Sequence, residues 1–286
     1  MSEKRPRRPR VAFVRGNERY ANVRRALDLL GDFSRIKKAQ RIVVKPNMTL
    51  GSRPLSDTHV DAVRAVLDCL REYTSRTITI AEGAGTGSPD TTLSFGNLGY
   101  RSLGRDYDVR LVDLNADRWV ETEIFDSDFR PFKVKVARTI VEADYCISVT
   151  PPKTHDCVVV TAALKNLIMG SVVRRENRLV AELFHAFVYL GGLVRRRSRA
   201  LRRKAAPTAL QGAAPPSHLR EKILAWAAKA SGNDKLRVHQ GFAVMNLDLY
   251  RLARFISPHL AVIDGFEAMG GPGPTEGYAV PMRLAI

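Results

Sequence analysis

Apolar residues along this chain occur in short runs that alternate with segments in which they recur every three or four positions. The short runs predict strands at RVAFVRG, RIVVKPN, RTITIAEG, YDVRLVDLN, DYCISVT and HLAVIDG. Between them, NVRRALDLLGDF, HVDAVRAVLDCLREY, VTAALKNLIMG and NLDLYRLARFI place their apolar residues on one helical face. Strands that alternate with helices predict an α/β fold, with a largely parallel sheet and helices on both faces.

Three local signals refine this pattern. Thr58 and Asp61 are spaced as a capping box at the start of the second helical segment. Gly170 follows VTAALKNLIM and is expected to end that helix. The final segment VPMRLAI has strand character and no turn signal after it, which predicts an unpaired strand edge or apolar patch near the C-terminus.

The alternation of strands and helices is interrupted between residues 171 and 238. This part holds an arginine run, a loop rich in proline and alanine, and a helix that begins at Ser217, with no strand pattern. We interpret it as a mainly helical, basic insertion with a mobile loop. The α/β core then covers residues 11–170 and resumes at 239–286, after a disordered basic tail at 1–10.

The amino-acid composition and the position of the positive charge indicate which kinds of partner the chain could bind. The 286 residues are 45% hydrophobic, which is enough for a substantial core. Of the formal net charge of +17, a net +11 lies in MSEKRPRRPR and in RRRSRALRRK at residues 195–204, so the remainder is mildly basic. The concentrated charge favours nucleic acid or an anionic membrane surface as a partner of residues 195–204. No aromatic residue interrupts this run to stack on single-stranded bases.

The cysteines and the apolar runs indicate the compartment. Cys69, Cys146 and Cys157 form no C-x-x-C pair, so we expect neither a disulfide framework nor an iron–sulfur cluster or zinc site. The basic start is followed by only four apolar residues, which is too few for a secretory signal. The run LFHAFVYLGGLV is shorter than the roughly 20 residues that span a bilayer. These features predict a cytoplasmic protein.

Polar residues and glycines follow the ends of four predicted strands. In an open parallel sheet the ligand crevice lies outside the carboxyl ends of the strands, so these residues are expected to meet at one edge. In chain order they are Lys45 with Asn47, Glu82 with Gly83 and Gly85, Lys153 with His155, and Asp264 with Glu267.

Lys153, His155 and Lys165 are the main catalytic candidates. They lie within 13 residues of one another, and Lys165 falls in an otherwise apolar helix. Two ammonium groups near an imidazole depress one another's pKa and can hold an anion. The alternative is a solvated basic loop. Cys157, beside His155, is either a nucleophile or a buried thiol without a role in the chemistry.

The carboxylates allow more than one interpretation. Glu82 follows a buried strand, where an unpaired carboxylate is costly, so it is either paired with a lysine or catalytic, and the two roles can coincide. Asp264 and Glu267 are candidate ligands of a divalent metal together with Glu82, or acids and bases, or solubilising loop residues. Lys45 and Asn47 are either substrate-binding residues or part of a surface turn.

The glycine-rich loop that follows Glu82 does not fit a dinucleotide site. GAGTGS lacks the third glycine of the G-x-G-x-x-G fingerprint, because residue 88 is serine. The loop either binds nothing, or Gly83 and Gly85 help to hold one phosphate or carboxylate at the start of a helix near Asp90.

Several segments together resemble domain of unknown function family 362. They are VVKPN, IAEGAG, FGNLGY, VRLVDLN, DYCISVTPPKTH, VTAALKNLIMG and VIDGFEAMGGPGPTEG, over residues 40–170 and 236–283. The resemblance implies no reaction, because the family has no assigned activity. It adds two substrate-binding candidates: Asn166 in the leucine-lysine-asparagine segment, and His239, near which the family tends to place a polar residue.

The chain departs from the family in three respects. Some members carry ferredoxin-like cysteine clusters, which this chain lacks. Its segment at 171–238 is longer and more basic than expected. The chain stops at VPMRLAI, where relatives continue into a further strand and helix, which predicts a truncated product.

We therefore expect an enzyme that acts on a small anionic substrate, a carboxylate or a phosphate, by acid/base chemistry of a lyase or isomerase type. His155 or Glu82 would move the proton while lysines hold the substrate, or a divalent metal would assist. The alternative is a non-catalytic protein that binds nucleic acid or an anionic membrane through its basic segments. The sequence indicates no oligomeric state.

Overall fold

The structure is a computed structural model that describes residues 9–85, 90–174 and 233–286. The basic tail up to residue 8, Ser88, the run at 195–204 and the predicted loop and helix after it lie outside the described residues. The chain divides into two compact units, Met1–Val173 with Gly241–Ile286, and Arg174–Gln240. No helix in the described part of the chain is long and apolar enough to cross a bilayer.

The helices of the described residues agree in position with the main helical patterns of the sequence. They are α1 (Arg19–Leu30), α2 (Ser34–Lys38), α3 (Val60–Arg71), α4 (Thr91–Asn97), α5 (Leu103–Asp106), α6 (Arg138–Val141), α7 (Ala163–Ser171), α8 (Asp234–Val238) and α9 (Phe242–Phe255), with a 3₁₀ turn at Tyr100–Ser102.

The strands include all six that the sequence predicts and several that it does not. They are β1 (Val14–Arg15), β2 (Ile42–Lys45), β3 (Ile78–Glu82), β4 (Val109–Asp113), β5 (Trp119–Phe125), β6 (Pro131–Ala137), β7 (Tyr145–Thr150), β8 (Lys153–His155), β9 (Val159–Thr161), β10 (Leu260–Gly270) and β11 (Tyr278–Ala285).

The main sheet has the order β1-β11-β10-β7-β2-β3-β4. The five strands from β10 to β4 are parallel, while β11 runs antiparallel to β10 and β1 antiparallel to β11. The register pairs Lys45 with Ser148 and Val44 with Ile80. A short hairpin, β8–β9, joins the sheet where Lys153 pairs with Met269 of β10. The predicted α/β fold with a largely parallel sheet is confirmed.

Strand alternation separates the two faces of this sheet. Val44, Ile80 and Ile147 point to one face and form the main hydrophobic core with α1 and α3. Ser148 points to the opposite face, where its Oγ donates to the carbonyl oxygen of Ala163 in α7 at 2.8 Å. Helices therefore cover both faces, and α7 lies on the face opposite to α1 and α3.

The predicted capping box at the start of α3 is wrong. The N-cap residue is His59, whose Nδ1 accepts the backbone N–H of Asp61 at 3.2 Å. Thr58 instead donates its hydroxyl to the carbonyl oxygen of Val149 and accepts the N–H of Asn47, both at 2.8 Å. The hydroxyl is used to hold the loop after β2 against β7, so it cannot cap the helix.

Gly170 does not end α7, contrary to the sequence prediction. It lies inside the helix, which continues to Ser171. A methyl group at this position would come within 2.5 Å of Glu82 Oε1 and closer still to the side chain of Lys45. The glycine therefore serves close packing of α7 on the ends of β2 and β3 rather than chain reversal.

The sequence prediction omitted an antiparallel ribbon, β5–β6, which pairs Trp119 with Ala137 and Phe125 with Pro131. Helix α9 packs against β5, and Asp248 of α9 accepts the N–H of Phe125 on Oδ1 at 2.9 Å. The second carboxylate oxygen of this buried residue has no hydrogen-bond partner in the described part of the chain.

The C-terminal strand fits the expectation of an open edge only in part. Leu284 and Ala285 are buried and pair with both β10 and β1. Nearer its start, β11 has β10 as its strand partner within the described residues, and the side chain of Tyr278 is exposed there.

Candidate functional site

A buried ion pair lies at the carboxyl ends of β2 and β3. Lys45 Nζ donates to Glu82 Oε2 at 2.8 Å, to Asn166 Oδ1 at 2.9 Å and to the carbonyl oxygen of Pro46 at 3.0 Å. Lys45 is 0% and Glu82 1% exposed. Burial lowers the pKa of Lys45, and the carboxylate of Glu82 opposes this shift. The structure shows the pairing of Glu82 with a lysine, and the catalytic role of Glu82 stays a prediction.

Asn166 connects this ion pair to helix α7. Its Oδ1 accepts from Lys45, and its Nδ2 donates to Ser148 Oγ at 2.9 Å. The same Ser148 hydroxyl donates to the carbonyl oxygen of Ala163 at the start of α7. Together with the close approach at Gly170, these bonds fix the position of the helix that carries Lys165.

Lys153, at the start of β8, is buried and donates three hydrogen bonds, as Lys45 does. Its Nζ donates to Thr49 Oγ1 at 3.0 Å, to the carbonyl oxygen of Ser56 at 2.5 Å and to Asn47 Oδ1. Three acceptors match the three hydrogens of an ammonium group. Burial lowers the pKa of Lys153 to about 7, and the charge of Asp57 acts in the opposite direction. Lys153 thus fastens the loop between β2 and α3 to the hairpin β8–β9.

The loop that Lys153 contacts is closed around the carboxylate of Asp57. This carboxylate accepts the backbone N–H groups of Thr49 at 2.6 Å and of Leu50, Ser52 and Arg53 at 3.1 Å each. Four donors of the loop are therefore satisfied internally. The loop is a preformed support for Lys153 rather than an open anion cradle.

His155 and Lys165 form the third part of the site. Lys165 Nζ lies 2.8 Å from His155 Nε2, and the Lys165 residue is 8% exposed. Burial lowers the pKa of Lys165 to about 8, while Cys157 and Asp156 oppose the shift. Burial also lowers the pKa of His155, against the effect of its bond to Asp156, and the charge of Lys165 lowers it further. Both nitrogen bases are therefore shifted towards the loss of a proton.

The contacts of His155 allow two arrangements of protons. In one, Nδ1–H donates to Asp156 Oδ1 at 2.8 Å, and Nε2 accepts from the Lys165 ammonium. In the other, Nδ1 accepts the backbone N–H of Cys157 at 3.0 Å, so Nε2 carries the proton and points it at a neutral Lys165 amine. The hydrogen between the two nitrogens belongs to Lys165 in the first arrangement and to His155 in the second, and the pair holds one proton fewer in the second.

The three lysines are close enough to affect one another electrostatically. Besides burial and Asp57, the charges of Lys165 and Lys45 lower the pKa of Lys153, and that of Glu82 raises it. The structure thus brings together most of the predicted site. Its residues form three hydrogen-bonded groups: Lys45 with Glu82 and Asn166, Lys153 with Asn47, and Lys165 with His155.

Asp264 and Glu267 do not join this group. Arg19 of α1 bridges them, with its Nε 3.1 Å from Asp264 Oδ2 and its Nη2 3.3 Å from Glu267 Oε2. Asp264 has the same strand parity as Val262, which packs in the core with α1 and α3, whereas Lys45 meets α7 on the other face. Among the described residues, Asp264, Glu267 and Glu82 do not form a group with the spacing of metal ligands, so the predicted metal site is not assembled there.

The glycines after β3 support the site through their backbone. Gly83 N donates to Glu82 Oε1 at 2.9 Å, and Gly85 N donates to the carbonyl oxygen of Met48 at 2.8 Å. A side chain at Gly85 would meet the carbonyl oxygen of Thr49 at 2.8 Å, so glycine permits the close approach of the two loops.

His239 lies in the second compact unit, where its Nδ1 is 2.7 Å from the carbonyl oxygen of Lys235. Its assignment to the site stays a prediction.

Comparison with known proteins identifies the family of this chain. Residues 42–286 match the protein family described as domain of unknown function DUF362. The chain belongs to this family. No curated protein matches it. Among solved structures it is similar to the lactate racemase apoprotein from Thermoanaerobacterium thermosaccharolyticum, with 16% sequence identity and a TM-score of 0.41, over 58% of this chain and 40% of that chain. The chain thus covers well under two thirds of the racemase, and so distant a likeness carries no functional argument.

One group of potential metal ligands occurs in the described residues of this DUF362 protein. His155, Asp156 and Cys157 have ligand atoms that all lie within 4.8 Å of one another. A metal ion there would displace the present contacts of the imidazole, and the neighbouring ammonium of Lys165 would repel it. We therefore assign no metal to this turn.

Sequence reasoning missed several residues that hold the DUF362 site together. Ser148 could have been found from strand alternation, since it precedes the end of a buried strand by two positions and is polar. Thr49, Ser56 and Asp57 lie in a loop of polar residues that directly follows a strand end, which is a signal for a ligand or support loop.

Proposed function

We propose that this DUF362 protein is an enzyme that transfers a proton on a small anionic substrate, a carboxylate or a phosphate, at the carboxyl edge of the parallel sheet. The observation that carries the proposal is the contact of 2.8 Å between Lys165 Nζ and His155 Nε2. Two nitrogen bases that share a proton and have lowered pKa values suit general acid/base catalysis near neutral pH.

The roles of the lysines differ because their hydrogens are used differently. Lys45 and Lys153 each direct three hydrogen bonds to protein acceptors, which match the three hydrogens of an ammonium group. Lys165 contacts His155 and lies in the first turn of α7. We assign the reaction to Lys165 and His155, and a positioning role to Lys45, Glu82 and Lys153.

In the proposed reaction, the neutral amine of Lys165 removes a proton from the substrate. The resulting ammonium donates to His155 Nε2, which accepts because the imidazole carries its one proton on Nδ1, towards Asp156 Oδ1, throughout the step. In the reverse step the ammonium returns a proton to the substrate. The charge on Lys165 also balances the negative charge that develops when a carbon acid loses its proton.

The proposal is tested by exchange of substrate protons with solvent. The full chain is incubated in D₂O with a panel of small hydroxy acids, oxo acids and phosphate esters, and deuterium incorporation is followed by NMR. Lys165→Met and His155→Asn should each reduce the rate at least about 100-fold, because general acid/base groups contribute 10²–10⁴ in rate. Lys133→Met, in the exposed part of the ribbon, is the matched control and should exchange at the wild-type rate.

A second measurement does not require the substrate. The rate of reductive methylation of Lys165, followed by peptide mass spectrometry, should rise with pH around an apparent pKa near 8. Exchange that persists in Lys165→Met, or a methylation rate of Lys165 that does not change around pH 8, would contradict the assignment. If no compound in the panel exchanges, the alternative of a non-catalytic anion-binding protein becomes the leading hypothesis.

A further inference from the structure

The N-terminus of α7 lacks a side-chain cap. The N-cap residue is Ala162, which makes no side-chain hydrogen bond, and the first turn contains no acidic residue. An α-helix leaves its first four backbone N–H groups without an intrahelical partner. The alanine methyl group cannot accept from them, so this nine-residue helix presents donors and the positive end of its dipole.

A second observation points to a ligand at the same place. Thr161 directly precedes the N-cap, is 4% exposed, and its Oγ1 has no hydrogen-bond partner in the described part of the chain. A buried hydroxyl without a partner is costly, and native structures seldom keep one without water, an ion or a ligand.

The hydroxyl of Thr161 lies on the reactive side of the hairpin. Thr161 pairs with Lys153 across β8–β9, and His155 is two residues from Lys153, so the three side chains share one face. His155 contacts Lys165 from that face. The ammonium of Lys165 occupies the first turn of α7, where a positive charge is unfavourable unless an anion compensates it.

We propose that the N-terminus of α7 is the subsite for an oxyanion of the ligand, either a carboxylate or a phosphate group. Its oxygens would accept from the backbone N–H groups of Ala163 and Leu164 and from the hydroxyl of Thr161, next to the amine of Lys165. The inference deepens the proposed function, on which it rests in taking Lys165 and His155 as the reacting groups. It places the negative group of the substrate beside the base that removes the proton.

Substitution of the N-cap residue gives a direct test. In Ala162→Asp, an internal carboxylate can accept from the first turn of α7 and compete with the ligand. The affinity for inorganic phosphate and for acetate, measured by calorimetry on the full chain, should fall at least about tenfold while the Tm rises. Ala162→Asn supplies a neutral cap and should weaken binding less. Comparison of phosphate with acetate in the wild-type chain identifies which oxyanion the subsite prefers.

The role of the hydroxyl is tested separately. Thr161→Val keeps the shape of the side chain and should weaken anion binding about tenfold, as expected for one hydrogen bond to a charged acceptor. Thr122→Val, in the ribbon strand β5, is the matched control and should bind as the wild type does. Wild-type affinity in both Ala162→Asp and Thr161→Val would overturn the subsite.

The outcomes distinguish this inference from the proposed function. Anion binding that depends on Thr161, without proton exchange in any compound of the panel, would support the oxyanion subsite and contradict the proposed enzymatic activity. Proton exchange that depends on Lys165, with anion binding insensitive to residues 161 and 162, would support the activity and contradict the subsite.

Discussion

Replacement of Gly170 by alanine tests whether α7 packs directly against the side chains of the Lys45–Glu82 ion pair. In the interior of an ordinary helix this change stabilises a protein by about 1 kcal/mol, because glycine loses more backbone entropy on folding. Here the added methyl group would lie 2.5 Å from Glu82 Oε1 and nearer still to Lys45 Nζ. We therefore expect the sign of the effect to reverse.

The size of the change in the free energy of unfolding depends on which groups the added methyl group displaces. Forcing a methyl group into a packed interior costs about 1–3 kcal/mol. Separation of a buried ion pair costs about 3–5 kcal/mol when one charge is left without compensation. Since the helix can shift part of the way, we expect Gly170→Ala to lower the free energy of unfolding by about 2–4 kcal/mol, net of the gain in helix propensity.

The assay is urea denaturation followed by circular dichroism, with Gly104→Ala in α5 as the control. Among the described residues, nothing beyond the chain neighbours and the helix's own backbone lies within 4 Å of a methyl group built at Gly104, so this variant should be as stable as the wild type or slightly more stable. A Gly170→Ala chain that is as stable as wild type, with an unchanged rate of Lys165 methylation, would refute the close seating of α7 on the ion pair.

Three further predictions concern other buried or strained groups. Lys45→Met should cost about 3–5 kcal/mol in urea denaturation because it leaves Glu82 buried without its cation, and adding Glu82→Gln should recover part of this loss. Burial raises the pKa of Asp248 to about 6, so its contribution to stability is present at low pH and is lost as the pH rises through about 6. That contribution is about 3 kcal/mol, and Asp248→Asn should remove this slope from denaturation curves measured between pH 4 and 7. Val159 has φ 64°, in the left-handed region, so Val159→Gly should stabilise the chain by about 1 kcal/mol in thermal unfolding, whereas Val160→Gly should destabilise it.

The sequence predicted the elements whose pattern is local. The strands that carry Lys45 and Glu82 are runs of apolar, largely β-branched residues, so their type follows from burial on both faces of a parallel sheet. Lys165 was identified because a charged residue in an otherwise apolar helix is costly to bury without a polar partner. The structure shows such a partner in His155. In such cases the physical cause lies within a few residues of the position that shows it.

The elements that were missed depend on contacts distant in sequence, or on signals that were present but not used. The ribbon strand β5 has the alternation of a two-sided strand in VETEI, and that signal was available. The hairpin β8–β9 has no such signal, because its turn contains no glycine and a β-branched residue, Val159, takes a left-handed conformation. The partner of Asp264 is Arg19, 245 residues earlier, and no local pattern predicts that pair.

The distribution of buried charge supports the proposal that Lys165, rather than Lys45 or Lys153, takes part in the reaction. Each buried ammonium loses hydration, and only hydrogen bonds and nearby carboxylates replace it. Lys45 has three acceptors and the charge of Glu82, and Lys153 has three acceptors near Asp57, so both are well compensated. Lys165 has an imidazole, which bears no negative charge, and it lies at the positive end of α7. Lys165 is therefore the least compensated of the three, with only Asp156 and Cys157 opposing the loss of its proton. In the proposed function, an anionic ligand would add the missing negative charge and raise the affinity of Lys165 for a proton.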